Sequence, residues 1–449
     1  MCGDFKHTEA PMNGRLATLL SPCREFARIS GAILAMGLAL GCAGFMPENS
    51  RVASDMGAEG KGAAGALAEP MIDLDRGATI AKCDSPPISV RVTKFTIPFE
   101  VIDRPSQPGP SRGAVQAGSP RIASIDYCQA NNQYYVLTEL GEVLVLKREQ
   151  ERFIAVVGRY DPLESTRNKL PAEYTPHFCS ISCSASGAFF GVLDRHNVDH
   201  MHDGTVYLYA SGQPAPVVEY RTGIRDATDL LVLDDSLLVL GRSGSMSRLF
   251  FSSQSPPVLS GSNRLRVEHL ETLHCCQFFL AICIENHEVL CYSHRFGLFA
   301  VDFEEKEADL RLSRRLVFHG MPDQTLHVAI SRRVSEEGLY FLAFTGTIQS
   351  PETRVAKFDL RDGESAWESS FAWEDDQMIC WGGDYWASVG DSFTLGDSHT
   401  GAVLCRVPVQ DVDPLYHSQG HRTMEFDRSG KFLLFGSADG TLVAIRIGD

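Results

Sequence analysis

Tryptophan is scarce in this chain: there are four in 449 residues, Trp367, Trp373, Trp381 and Trp386, all in one short stretch. That distribution excludes an architecture that repeats a tryptophan at regular intervals along the whole sequence. Basic residues are outnumbered, 41 against 57 acidic ones, and no stripe of Lys and Arg forms. The formal net charge of −16 therefore argues against a nucleic-acid surface, which needs clustered cations. Thirteen cysteines occur without a C-x-x-C, which disfavours a zinc or thioredoxin-like site. No G-x-S-x-G, H-E-x-x-H or Walker-type loop is present, so no linear enzyme signature is found. The formal G-x-G-x-x-G at Gly60 to Gly65 has no strand before it and no βαβ unit after it, and the dinucleotide reading fails on context. Long apolar runs are missing too. The run Gly31 to Leu40 is too short to span a bilayer comfortably.

What is there begins with a leader. Arg15, Arg24 and Arg28 precede that apolar run, which stops at Gly41-Cys42, the grammar of a signal peptide. Ala39-Leu40-Gly41-Cys42 resembles the lipobox of bacterial lipoproteins, with Ala39 where the family usually carries Leu. The resemblance implies that Cys42 is diacylated and becomes the first residue, and that Ala43 sends the lipoprotein to the outer membrane. A buried or interfacial helix with an incidental cysteine is the competing reading. Residues 42 to 86, rich in Gly, Ala, Glu and Ser, read as a lipidated flexible tether after a signal peptide of residues 1 to 41.

From Ser89 onward short alternating strands predominate. His421 to Asp449 reads as three strands separated by Asp427-Arg428-Ser429-Gly430 and by Asp439-Gly440, a dipeptide suited to a two-residue hairpin. This segment resembles a WD-repeat unit. Comparable units start near Ile122, Phe178, Asp229, Phe278, His327, Met378 and Arg422, a period of about fifty residues that belongs to propellers. Val355 to Trp367 and Phe393 to Arg406 resemble the repeat of quinoprotein-type propellers, with Cys405 where that family places Trp. The expectation is an all-β, seven-bladed β-propeller over residues 87 to 449. The last unit lacks a fourth strand, and a bare sheet edge exposes unpaired backbone groups. Ser89 to Phe99, isolated by the loop Asp103 to Pro120, is the strand expected to complete it and close the ring.

Candidate sites are few. The hairpin Asp194 to Gly204 holds three His and three Asp, and His196, His200, His202 and Asp203 can hold a divalent metal; the plainer reading is a solvated hairpin tip. Trp373 with Glu374, Asp375 and Asp376 offers an aromatic and acidic rim for a partner, whereas Trp381 and Trp386 read as strand-buried. Neighbouring Cys275 and Cys276 resemble the vicinal disulfide of some quinone-dependent alcohol dehydrogenases, although packing explains them as well. Cys179, Ile181 and Cys183 fall on one strand face and Ser180, Ser182 and Ser184 on the other, a pattern of small buried residues. Together these features point to a lipid-anchored outer-membrane module facing the periplasm or cell surface. It is expected to bind other envelope proteins or a ligand without catalysis, to need no cofactor beyond a divalent metal, and to bind no nucleic acid. Two alternatives stand beside it: a periplasmic quinone- or metal-dependent propeller enzyme, and an intracellular WD-repeat scaffold if the leader is retained.

Overall fold

A computed structural model describes residues 71–81, 83, 88–97, 120–164, 176–195, 203–225, 227–241, 245–251, 259–266, 281–284, 288–293, 297–302, 311–315, 325–327, 340–347, 350–359, 364–372, 378–412, 423–437 and 439–448. No described helix is long and apolar enough to cross a membrane. The described strands build seven antiparallel sheets. Their first strands start at Ile122, Phe178, Ala227, Ala281, Thr325, Met378 and Met424, within three residues of every repeat start expected from the sequence. Strands one to four of the first sheet, Ile122–Cys128, Gln133–Thr138, Val143–Glu149 and Phe153–Tyr160, run in simple meander order.

Both faces of a sheet are covered, which explains why several strands read as continuous apolar runs rather than alternating ones. In Phe432–Gly436 every residue is buried. Leu433 and Phe435 enter the layer shared with the sixth sheet, while Phe432 and Leu434 enter the layer shared with the first. Tyr134 and Val136 likewise face the seventh sheet, and Tyr135 and Leu137 face the second. Period-two geometry thus feeds two cores from one strand.

The first strand of each sheet packs beside the first strand of the next across the junctions 1–2, 2–3, 3–4, 6–7 and 7–1. These strands are sheet edges, and their free amides need acceptors. Side chains of the preceding sheet supply them. Cys183 N–H donates to Asp126 Oδ2 at 2.7 Å, Ile181 N–H to Ser124 Oγ at 3.4 Å and Val232 N–H to Ser182 Oγ at 3.1 Å. That is why Ser124 and Ser182 are polar yet buried.

Ser89–Phe95 pairs antiparallel with Leu442–Gly448, from Ser89 opposite Gly448 to Phe95 opposite Leu442, so the seventh sheet joins the two ends of the described fold. The fold begins earlier than residue 87, within what the sequence suggested was tether. Met71–Asp73 adds a fifth strand to the first sheet, and Thr79–Ala81 adds a fifth to the seventh. A second correction concerns Asp439-Gly440. The flanking strands end at Gly436 and resume at Leu442, and Ser437 N–H donates to Thr441 O at 2.8 Å, so the connection is longer than a two-residue turn. Gly440 still supplies the left-handed residue, with φ of 83°.

Candidate functional site

The seventh sheet is clasped to both of its neighbours. Between the first and seventh sheets, Arg148 Nη1 meets Asp427 Oδ2 at 2.7 Å, and the Arg148 guanidinium lies 5.0 Å from the centre of the Phe432 ring. Asp427 is fixed from its own turn, accepting from Ser429 Oγ at 2.6 Å. The strand Met71–Asp73 is held by Arg152, whose Nε and Nη2 fork onto the two Asp73 oxygens at 2.9 and 2.7 Å. Hydrogen bonding from Arg152 and from the Asp75 amide holds the Asp73 carboxyl at about 2, well below the usual carboxylate range. Arg446 joins the same group, donating to Asp75 Oδ1 at 2.6 Å and to Leu74 O at 3.0 Å. The sixth and seventh sheets are tied covalently by a disulfide between Cys83 and Cys405, with Cα atoms 4.7 Å apart. Sequence reasoning left that pairing open, since spacing does not reveal which strands a ring places side by side.

The first and second sheets meet differently. The turn after Ile122–Cys128 carries Asn132 at φ 54°, and the turn after Phe178–Cys183 carries Gly187 at φ 69°. Asn131 Nδ2 donates to Gly187 O at 2.9 Å and pins one turn to the other. Cys128 and Cys183 end these two strands and pack in one layer, and Cys128 Sγ lies 4.0 Å from Ser184 O. Hydrogen bonding from Cys183, aided by the backbone amides of Asn131 and Ala130, brings the Cys128 thiol down to about 7. The same interaction, together with burial and the Asp126 charge, pushes the Cys183 thiol well up. Beneath the thiols lies an aromatic layer in which Phe190 stacks on Tyr209 at 4.8 Å and meets Tyr135 at 4.8 Å and Tyr160 at 4.9 Å. Burial raises the Tyr135 and Tyr209 hydroxyls, so neither ionises near neutrality.

The face assignment made from the sequence of the second sheet is partly overturned. A register shift between Phe178 and Ser180 interrupts the alternation. Cys179 consequently packs with the layer facing the third sheet, and Cys183 with the layer facing the first. Ser180 and Ser182 serve the third sheet, with Ser180 Oγ donating to Asp229 Oδ1 at 3.0 Å.

The sequence-based site residues fare unevenly. Cys42, Cys275, Cys276, Trp373, Glu374, Asp375, Asp376, His196, His200 and His202 lie outside the described residues. Asp203 opens the strand Asp203–Ala210 opposite Arg225. Asp194, the other flank of that hairpin, is fully buried and accepts the His177 amide at 2.9 Å. Among the described residues no group of three or more His, Cys, Asp and Glu can hold a metal ion. The remaining tryptophans form a junction rather than a rim: Trp367 and Trp386 stack at 6.2 Å between the fifth and sixth sheets, with Trp381 packed against them. Trp367 Nε1 donates to Ser398 O at 2.8 Å. A Cβ at Gly401, whose φ is 75°, would run into the Trp367 ring, so glycine is required on both counts.

No protein-family model matches the chain, and no curated protein matches its sequence. Among solved structures it is similar to the β-propeller domain of Cps50 (Swd1) from Myceliophteria thermophila. The match has a TM-score of 0.50 at 10% identity and covers 73% of this chain and 96% of that domain. At such identity the likeness concerns architecture alone, and together with the sheet order it establishes the β-propeller fold.

Proposed function

We propose that this chain is an exported, lipid-anchored β-propeller, its seven sheets forming the seven blades of one ring, that binds partner proteins at the cell envelope without catalysing a reaction. The Cys83–Cys405 disulfide carries the reading of the compartment. Such bonds persist where the surroundings are oxidising and are rare in reducing cytosol. Cys83 lies inside the segment first read as tether, just after the strands Met71–Asp73 and Thr79–Ala81 that extend the first and seventh sheets, a position suited to an anchor pulling on the ring. The acidic balance and the scarcity of basic clusters favour protein partners over nucleic acid. Sheets tied to their neighbours by side-chain hydrogen bonds, an ion pair and a disulfide keep their loops in place, which lowers the ordering cost of binding.

Mass spectrometry of the mature amino terminus tests the anchor: a diacylglyceryl group on Cys42 is expected, and Cys42→Ala should leave the protein unprocessed or soluble. An unmodified terminus upstream of Cys42, or free Cys83 and Cys405 thiols in protein taken from its native compartment, would overturn the assignment. Affinity capture from membranes, with Trp373→Ala as the comparison, tests the partner surface. Undiminished recovery of the same partners by that variant would move the surface away from Trp373 and Glu374 to Asp376.

A further inference from the structure

We infer that the seam between the first and seventh sheets carries a peptide-docking seat, filled here by the chain's own Ile72 to Asp75 and able to take a partner's extended segment of the same chemistry, in which apolar and acidic residues alternate. The resident segment crosses from one sheet to the other. Met71–Asp73 pairs antiparallel with the edge strand Phe153–Tyr160, and Thr79–Ala81 pairs with Ser89–Phe95. Between these pairings the chain is read through side chains and backbone together. Leu74 is fully buried in the apolar layer shared by the two sheets, and Ile72 packs against the same layer. The Leu74 amide donates to Arg152 O at 2.8 Å, and its carbonyl accepts from Thr93 Oγ1 and, at 3.0 Å, from Arg446 Nη2. Asp73 takes the Arg152 fork, while Asp75 meets Arg446 Nη2 at 2.6 Å, Arg152 Nε at 3.2 Å and Arg91 Nη1 at 4.0 Å.

The groups that read the segment belong to the two sheets and are held without it. Arg91 and Thr93 stand on Ser89–Phe95, which pairs along its whole length with Leu442–Gly448, the strand of Arg446; Arg152 stands at the start of Phe153–Tyr160, which pairs with Val143–Glu149. Lifting the segment away leaves three guanidinium groups, an open strand edge and the slot that Leu74 fills. In a chain of net charge −16, three clustered arginines are a spot of opposite sign, and the complement they select is a pair of carboxylates in fork geometry. The open edge supplies backbone pairing and the slot selects an aliphatic side chain, which is recognition by strand addition. The resident segment is secured by pairings of only three residues at each end, and Met71 and Ile80 are 60% and 67% exposed. Its ion pairs are largely open to water and contribute little, so the buried Leu74 and the backbone bonds supply most of its hold. Tethered beside the seat at high effective concentration, it acts as a built-in competitor that a partner must displace. The seat gives the partner-binding reading a surface and rests on that reading only for the source of the peptide; lipid anchoring and the Trp373 surface play no part in it.

The test uses the full chain with its Cys83–Cys405 bond intact and, as probe, a fluorescein-labelled synthetic peptide with the sequence of residues 71 to 81. Combining Asp73→Lys, Leu74→Lys and Asp75→Lys in the protein empties the seat. Fluorescence anisotropy should show saturable binding to this variant and binding at least about tenfold weaker to the wild type, whose own segment competes. Replacing both aspartates of the probe by asparagine should weaken binding to the emptied seat about tenfold, because neutral amides lose the charge-assisted bonds to arginine. Adding Arg152→Gln and Arg446→Gln to the emptied protein should abolish it. Hydrogen exchange on the wild type decides without any variant: millimolar probe should raise deuterium uptake in residues 71–81 and leave Leu442–Gly448 unchanged. Unchanged uptake in residues 71–81, or anisotropy that does not distinguish the probe from its asparagine counterpart, would overturn the inference. Dimers joined by a Cys83–Cys405 bond between chains on non-reducing gels would assign the seat to a second copy and overturn the proposed partner. Failure of capture through Trp373 moves none of these readouts, so the two readings fail separately.

Discussion

Two cysteine pairs each span a junction between neighbouring sheets, and they are in opposite states. Cys83–Cys405 is a disulfide; Cys128 and Cys183 are unlinked thiols. Loop length does not separate them strongly. In the chain-entropy account, stabilisation grows with the logarithm of the loop, so closing one of 322 residues rather than about fifty-five gains only about 1.5 kcal/mol. Surroundings separate them better. Cys405 belongs to an apolar layer with Val407, Leu395 and Phe435, and the disulfide fills space within it. Hydrogen bonding from Cys183 and from the amides of Asn131 and Ala130 lowers the Cys128 thiol, which is nonetheless buried. The closing seam is therefore fixed covalently, and the seam between the first two sheets is held by packing and hydrogen bonds.

The largest expected effect comes from opening the fixed pair. Cys83→Ser combined with Cys405→Ala releases a loop of 322 residues, and a loss of about 5 kcal/mol follows from the entropy of so long a closure. For a fold of this size that is roughly a 5 °C fall in melting temperature. Circular dichroism melts with and without reductant measure it, and reductant should lower the wild type to the level of the variant. A melting point insensitive to both changes would mean that strand pairing alone closes the ring.

Glycine substitutions sharpen the same contrast. At Gly430, with φ of 68°, an added Cβ would collide with the backbone carbonyl of Gly382 across the closing seam, and a backbone atom cannot rotate away. Gly430→Ala should cost about 3 kcal/mol, collision and left-handed strain together. At Gly187, with φ of 69°, the obstacle is the Asn131 side chain, which can turn aside at the price of its hydrogen bond, so Gly187→Ala should cost about 1–2 kcal/mol. Equal effects in urea titrations would erase the difference in rigidity argued between the two seams. Asp427→Asn falls near the same scale, about 2 kcal/mol, because it leaves the largely buried Arg148 guanidinium without its anion.

Much of the architecture was legible because the repeat is spelled in local terms. Asp427 to Gly430 closes a turn through its own carboxylate and a left-handed glycine, and Phe432 to Phe435 can only be a strand buried on two sides. The closing strand could be deduced from an edge without a partner. The brace at Met71–Asp73 was not legible, since three residues carry no period and their hold comes from Arg152 and Arg446, distant in sequence. The thiol pair left a faint sign, a cysteine at the end of the first strand in two consecutive repeats. Face counting hid it, because a bulge that no pattern announces moves Cys179 away from Cys183. Alignment of the repeats on their turns would have brought Cys128 and Cys183 together.

The smallest effect expected is a dependence on acid at the brace. Folding lowers the Asp73 carboxyl to about 2, against roughly 3.9 in an unfolded chain. A depressed folded value means that the contribution is fully present above the unfolded value and is lost as pH falls through the folded one, so the window runs from about pH 4 down to about pH 2. Asp73 and Arg152 lie at the surface, where water and salt screen the fork, and the change in melting temperature should be slight. The gap between wild type and Asp73→Asn should be widest at pH 5, close by pH 2, and narrow at pH 5 when salt is raised. A gap that stays constant through this range would show that strand pairing, rather than the charge of Asp73, holds Met71–Asp73 against the first sheet. The brace would then owe its hold to backbone hydrogen bonds, and the ionic part of the closing seam would reduce to the Arg148–Asp427 and Arg446–Asp75 pairs.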